Sequence, residues 1–222
     1  PMDDFVYTTL DVPAASQVEA YGINNRGQIV GGYWDAFGRF GFVLHDARIA
    51  QIKAPAPYSV ARVLGINDRG DVVGEYEAEG VIAAFLRKGD RTTAVNIPSL
   101  NYASAAGVNN RGDIVGYYND VHRIRAFVMS DSGFAGFDAP ASLATYATGV
   151  NDHGQVVGYY LDASFIIRAF IKDGARFVSF DCPGANITVA AGINNAGRVV
   201  GFYWDAAGQH GFVREDDRCI RL

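Results

Sequence analysis

The segment Gly22-Ile-Asn-Asn-Arg-Gly27-Gln-Ile-Val-Gly31-Gly-Tyr33 occurs five times in this chain, and no other feature constrains the fold as tightly. The later copies open at Gly65, Gly107, Gly149 and Gly192, so the spacings are 43, 42, 42 and 43 residues. Each copy then reaches a small residue followed by phenylalanine: Gly41-Phe42, Ala84-Phe85, Ala126-Phe127, Ala169-Phe170 and Gly211-Phe212. A period of this length is one supersecondary unit. Such a unit cannot bury its own faces and must stack against its siblings.

Each copy reads as four strands. In the fifth copy Val189–Asn194 is the first, Arg198–Asp205 the second and Gln209–Glu215 the third. The fourth is the stretch equivalent to Phe177–Asp181, at the head of the next copy. The loop Asn24-Asn25-Arg26-Gly27 joins the first two strands: asparagine bonds its own backbone, and glycine takes the left-handed position that ends the turn. The second strand is apolar on both faces (Ile29 and Val30, Val72 and Val73), so both faces need cover. Its glycine, at 31, 74, 116, 158 and 201, points to close approach of a neighbouring sheet.

Four strands in about 42 residues match one propeller blade. The expected architecture is therefore all-β: a five-bladed β-propeller with four antiparallel strands per blade, forming one domain over residues 1–222. Its repeats run over roughly 5–46, 47–90, 91–131, 132–174 and 175–216, with a terminal strand at 217–222. A terminal strand closes the ring. Phe5–Asp11 and Arg218–Leu222 compete for the outer edge of the last blade, and the expectation is that Phe5–Asp11 takes it and clips the termini together.

The string from Tyr21 to Tyr33, followed by Asp35 and Gly41-Phe42, resembles the bacterial extracellular HAF repeat, named for a His-Ala-Phe tripeptide in its third strand. Here that place reads Arg-Ala-Phe at 125–127 and 168–170, Ala-Ala-Phe at 83–85, Phe-Gly-Phe at 40–42 and His-Gly-Phe at 210–212. The family's Asp-x-Pro element matches at 11–13, 138–140 and 181–183, whereas Lys53 and Asn96 replace its aspartate in two copies. The resemblance covers essentially the whole chain. It implies export from a bacterial cell, to an extracellular or periplasmic place, and it implies no particular chemistry. At Pro1-Met2-Asp3-Asp4 no signal peptide is read, which leaves a removed one open. Cys182 and Cys219 do not amount to a disulfide framework.

A net charge of −5 weighs against nucleic acid as the main partner, since phosphate binding needs a clustered basic surface. No apolar run is long enough to span a membrane. The sequence has no Gly-x-Ser-x-Gly, phosphate-binding loop, His-Glu-x-x-His or Cys-x-x-Cys. His45, His122, His153 and His210 fall at different repeat positions, so no metal site and no cofactor are expected. No catalytic residue is assigned. Asp35, Asp120, Asp162 and Asp205 recur after the second-strand tyrosines and read as turn residues. The tyrosines at 33, 76, 118, 160 and 203 fill space between blades, and Asn24, Asn67, Asn109, Asn151 and Asn194 cap turns. Glu75, Glu77 and Glu79 read as a solvated edge.

Function more often lies where repeats differ. Trp34 and Trp204 are the only tryptophans, each just before a recurrent aspartate, on blades that a closed ring makes neighbours. Packing against nearby side chains is their ordinary role. Stacking on a sugar face, with Asp35 or Asp205 bonding the hydroxyls, is the functional one. Trp34, Asp35, Trp204 and Asp205 are thus the candidate ligand site. Three functions compete: a non-catalytic module binding a glycan or a protein surface, a structural propeller with no small ligand, and, third, a glycosidase-like enzyme with carboxylates in the channel.

Overall fold

A computed structural model of the chain describes residues 9–55, 57, 58 and 60–222. Twenty strands and no helix are found among them, and every sheet is built from antiparallel four-stranded units. The first unit comprises β1 (Gln17–Ile23), β2 (Ile29–Asp35), β3 (Gly38–His45) and β4 (Arg48–Ile52). The second has β5 (Val60–Ile66), β6 (Val72–Ala78), β7 (Val81–Lys88) and β8 (Arg91–Ala94), and the third β9 (Ala103–Val108), β10 (Ile114–Asn119), β11 (Ile124–Ser130) and β12 (Gly133–Phe137). The fourth holds β13 (Ser142–Val150), β14 (Val156–Asp162), β15 (Ile167–Asp173) and β16 (Arg176–Phe180), and the fifth β17 (Ile187–Ile193), β18 (Val199–Asp205), β19 (Gly208–Glu215) and β20 (Arg218–Arg221). Within every unit the strands pair in chain order. A single parallel pairing, Ile167 with Ile187, joins the last two units. As expected, the fourth strand comes from the head of the next copy: β16 lies in the fifth repeat yet pairs with β15.

The first strand of each unit carries a bulge just before its closing glycine, seen between Ala20 and Gly22 and at the same place in the other copies. That bulge explains the second-strand glycine, and corrects its expected role. A Cβ on Gly116 would overlap the Ser104 carbonyl oxygen across the same sheet and press on the Phe127 ring at 2.9 Å. The closing glycines of the first strands are the ones that meet a neighbouring unit. Gly107, for example, lies against the backbone of Thr148 and Gly149, where an added Cβ would come within 3.2 Å.

Four apolar clusters fill the spaces between consecutive units. Val30, Val63, Val72 and Tyr76 lie between the first and second units, and Val73, Ala105, Tyr118 and Phe127 between the second and third. Val115, Ala147, Tyr160 and Phe170 follow, then Val157, Ala190, Tyr203 and Phe212. The repeated phenylalanine is fully buried in every copy, a burial that contributes about 2–3 kcal/mol each. The residue before the proline at the head of the second to fifth repeats plugs these layers: Ala54, Ile97, Ala139 and Cys182 are all buried there. The flanking aspartate pairs with the preceding third strand. Asp138 accepts from Arg125 Nε at 3.1 Å, and Asp181 binds Arg168. In these two copies the two motifs are therefore partners in one ion pair.

The edge of β19 is taken by Arg218–Arg221, not by Phe5–Asp11. Of that N-terminal segment, residues 5–8 lie outside the described residues, and residues 9–11 pair with no strand. The last edge is fastened by a disulfide between Cys182 and Cys219, which sequence reading did not find. No hydrogen bond, strand pairing or apolar cluster joins the fifth unit to the first among the described residues, so a seam separates them.

Candidate functional site

The first strands surround a common axis, with the Asn-x-x-Gly turns at one end and the turns between second and third strands at the other. At the first end the recurrent asparagines do more than cap. The Asn109 side-chain oxygen accepts the N–H groups of Arg111 at 3.0 Å and Asp113 at 2.9 Å, closing its own turn. Its amide nitrogen donates to the Asn151 carbonyl of the next unit at 2.9 Å. The same lateral bond runs from Asn24 to Asn67 and from Asn67 to Asn109 at 2.9 Å, and from Asn151 to Asn194 at 3.1 Å.

A second row lies beside the first. The backbone N–H groups of Asn25, Asp68, Asn110 and Asp152 donate to the side chains of Asp68, Asn110, Asp152 and Asn195 at 2.7–2.9 Å. The Asn25 backbone donor, helped by the Asn25 and Asn110 amides, holds the Asp68 carboxyl below the usual carboxylate range. Burial pushes the Asp152 carboxyl up, and the Asn110 and Asn195 donors outweigh it, so it too is held low. These turns surround an open cavity of about 150 Å³. Their polar groups largely satisfy one another.

Behind this cavity lies an axial channel that runs on into the seam beside Arg198, Val200 and Val213, with a volume of about 540 Å³ in all. The bulge residues Leu64, Ala106 and Thr148 line it together with Ile66, Val108 and Val150. The wall offers no carboxylate. One acid is deeply buried elsewhere: Glu75, expected on a solvated edge, is 2% exposed. It shares a strand face with Glu77, but Arg62 and Tyr102 cover it, while Glu77 lies at the exposed end of the strand and Glu79 in the turn beyond. Arg62 pairs with it, and the Tyr102 hydroxyl donates to it at 3.0 Å. Burial, with Tyr117 and Glu75 close by, pushes the Tyr102 hydroxyl well above the usual phenol range. From Tyr102 a file of rings runs through Tyr117, Tyr146 and Tyr159, with centroids 5.8, 5.0 and 4.6 Å apart. Glu75 is thus engaged on both oxygens and is not poised to move a proton to a ligand.

The other end carries the predicted site residues. Asp35 does turn work: Oδ1 accepts the N–H groups of Phe37 at 2.7 Å and Gly38 at 3.2 Å. Asp205 accepts from the Ala207 N–H at 2.7 Å and faces His210 Nε2 at 2.9 Å, and these two contacts lower its pKa. Asp120 and Asp162 cap their turns in the same way. In both Asp35 and Asp205 the second carboxylate oxygen meets no donor among the described residues. Trp34 is half-buried under the Arg39 guanidinium, 4.4 Å from the ring centroid. Trp204 is 44% exposed. It lies on the same strand face as Val200, towards the seam, and no contact joins it to Trp34. Sequence reading missed Phe37 and Phe165, which stand almost fully exposed at the turns of this same end. Among the described residues no group of three or more His, Cys, Asp or Glu converges as metal ligands would, and no helix is long and apolar enough to cross a membrane.

No family model and no curated protein matches the sequence. Solved structures do match in shape. A mutant of AofleA from Arthrobotrys oligospora superposes with a TM-score of 0.57 at 14% identity, over 99% of this chain and 77% of that one. The fucose-binding lectin of Aleuria aurantia, solved as a mutant with Fucα1-6GlcNAc, gives 0.56 at 11% identity, over 95% and 79%. Virginiamycin B lyase from Staphylococcus aureus gives 0.54 at 10% identity, over 91% and 83%. At these identities the likeness is one of fold: a propeller-like arrangement of antiparallel sheets.

Proposed function

We propose that this chain is a non-catalytic, carbohydrate-binding module built as a five-bladed propeller, each four-stranded unit being one blade. The observation that carries the reading is the Trp204 indole, exposed at the end of its strand on a fold shared with a fucose-binding lectin, with Asp205, the next residue along, keeping one oxygen unused. A flat indole covers the apolar face of a sugar ring, and the free carboxylate oxygen accepts from its hydroxyls. Trp34 and Asp35 repeat the arrangement on the first unit, with the indole half covered by Arg39.

The non-catalytic part rests on the engagement of Glu75 and the apolar channel wall. The HAF-like repeat supports an exported bacterial protein. The Cys182–Cys219 disulfide agrees with an oxidising compartment such as the periplasm or the cell exterior. A glycan array followed by titration calorimetry tests the proposal. The expected result is a bound glycan whose affinity falls about tenfold or more in Trp204→Ala, near 1.4 kcal/mol. An array with no bound glycan, or a Trp204→Ala variant that binds as well as wild type, overturns it.

A further inference from the structure

We propose that the first unit's half of the candidate site takes an acidic sugar, and that the Arg39 guanidinium holds its carboxylate. The inference rests on the carbohydrate-binding reading and names a ligand class for one of its two tryptophan positions. Trp34-Asp35 and Trp204-Asp205 match in sequence and differ in the residue paired across the sheet. Trp34 pairs with Arg39, and Trp204 with Gln209. The other three units carry Ile82, Ile124 and Ile167 at that register. A position that the fold fills elsewhere with isoleucine or glutamine needs no charge to form.

Arg39 also stands apart from the other arginines. Among the described residues the remaining half-buried ones, Arg62, Arg87, Arg125, Arg168 and Arg214, each pair with a carboxylate. Arg39 forms no ion pair and no hydrogen bond there. Its Nε is sealed from water and meets no acceptor, and its head lies over the Trp34 ring. A buried polar group left so calls for a partner. Glu19 and Glu75 act on the head only from a distance, and both oxygens of each are taken. Gln17 and Tyr21 donate to Glu19, and Arg62 and Tyr102 to Glu75.

A second cation is brought close by a missing side chain. The residue after the repeat glycine is Glu75, Tyr117, Tyr159 or Phe202 in the other units and Gly32 in the first. The Arg62 stem packs over Gly32, its Cγ 3.6 Å from where a Cβ would stand. Burial and then the Arg62 charge lower the Arg39 pKa, and Glu75 and Glu19 do not make good the loss. A bound anion supplies the missing compensation. A carboxylate matches the planar head, accepting from its two outer nitrogens in parallel. The half-buried indole beneath favours a carboxylate carried on a sugar ring over a bare inorganic ion, because the ring adds an apolar face.

An array of hexuronate oligosaccharides, each beside its own carboxyl-reduced form, tests this, with affinities from titration calorimetry. Wild type is expected to bind an acid form about tenfold or more tighter than the reduced form, as one charged hydrogen-bonded pair is worth. Arg39→Met keeps a stem over Trp34 and removes the fork, so it should bind the two forms alike. A thermal melt shows that the variant is folded, and Arg39→Gln, which copies the fifth unit, replaces it if it is not. Wild type that binds only neutral glycans, or acid and reduced forms alike, overturns the inference and leaves the carbohydrate reading standing. So does a preference for the acid form that survives in Arg39→Met. Binding of no saccharide, acid or neutral, overturns both.

Discussion

Replacing Asn109 and Asn194 separately with alanine measures what the lateral asparagine row contributes. Both side chains accept two N–H groups of their own turn: Arg111 and Asp113 for the first, Ala196 and Arg198 for the second. Asn109 alone adds the bond to Asn151 at 2.9 Å and one to Asp113 Oδ2 at 2.7 Å, and it is buried where Asn194 is exposed. Losing two turn bonds that water can replace costs about 1–2 kcal/mol at Asn194. At Asn109 the same loss leaves less-hydrated donors, and the two further bonds go with it, for about 3–4 kcal/mol. The difference of about 2 kcal/mol lowers Tm about 6 °C more for Asn109→Ala than for Asn194→Ala in a chain of this size. Differential scanning calorimetry of both variants reads it directly. Equal losses would mean that the asparagines serve only their own turns, and the lateral row would carry no stability.

Other outcomes follow from the same contacts. The disulfide closes a loop of 37 residues, so Cys182→Ser with Cys219→Ser should lose about 4 kcal/mol on the chain-entropy model, near 10 °C in Tm, and an unchanged melt would contradict it. Asp68 and Asp152 are held below the usual carboxylate pKa, so their contribution is complete above that value and fades as the pH falls below about 4 through the folded pKa values. The Asp68→Asn, Asp152→Asn pair, matching the asparagines found at 25, 110 and 195, should melt with a shallower acid slope; a slope as steep as wild type would assign the acid sensitivity elsewhere.

Much of the fold is legible because the repeat marks its own strand boundaries. The Asn-x-x-Gly turns, the two-faced second strand and the fourth strand borrowed from the next copy all follow from local pattern. What escapes the sequence is contact at a distance of one repeat. The asparagine that caps a turn also bonds a unit 42 or 43 residues away, and turn chemistry alone already accounts for its presence. Glu75 resembles its neighbours Glu77 and Glu79 in composition and shares a strand face with Glu77, and only the cover of Arg62 and Tyr102 makes it a buried partner. Two cysteines carry no pairing signal until β20 settles on β19 and brings Cys219 beside the head of the fifth repeat. The candidate tryptophans look equivalent in sequence. They part company because a unit stands beside Trp34 and the described residues leave the place beside Trp204 open.

Spin labels placed in pairs at Arg26, Arg69, Arg111, His153 and Ala196, one exposed residue in each Asn-x-x-Gly turn, would measure the arrangement of the units at low protein concentration. Four equal distances between consecutive turns are expected, with a longer one between Ala196 and Arg26 across the seam. Five equal distances would mean a closed ring, and distances that grow steadily along the chain would mean a linear stack; either contradicts units gathered about an axis with one junction open.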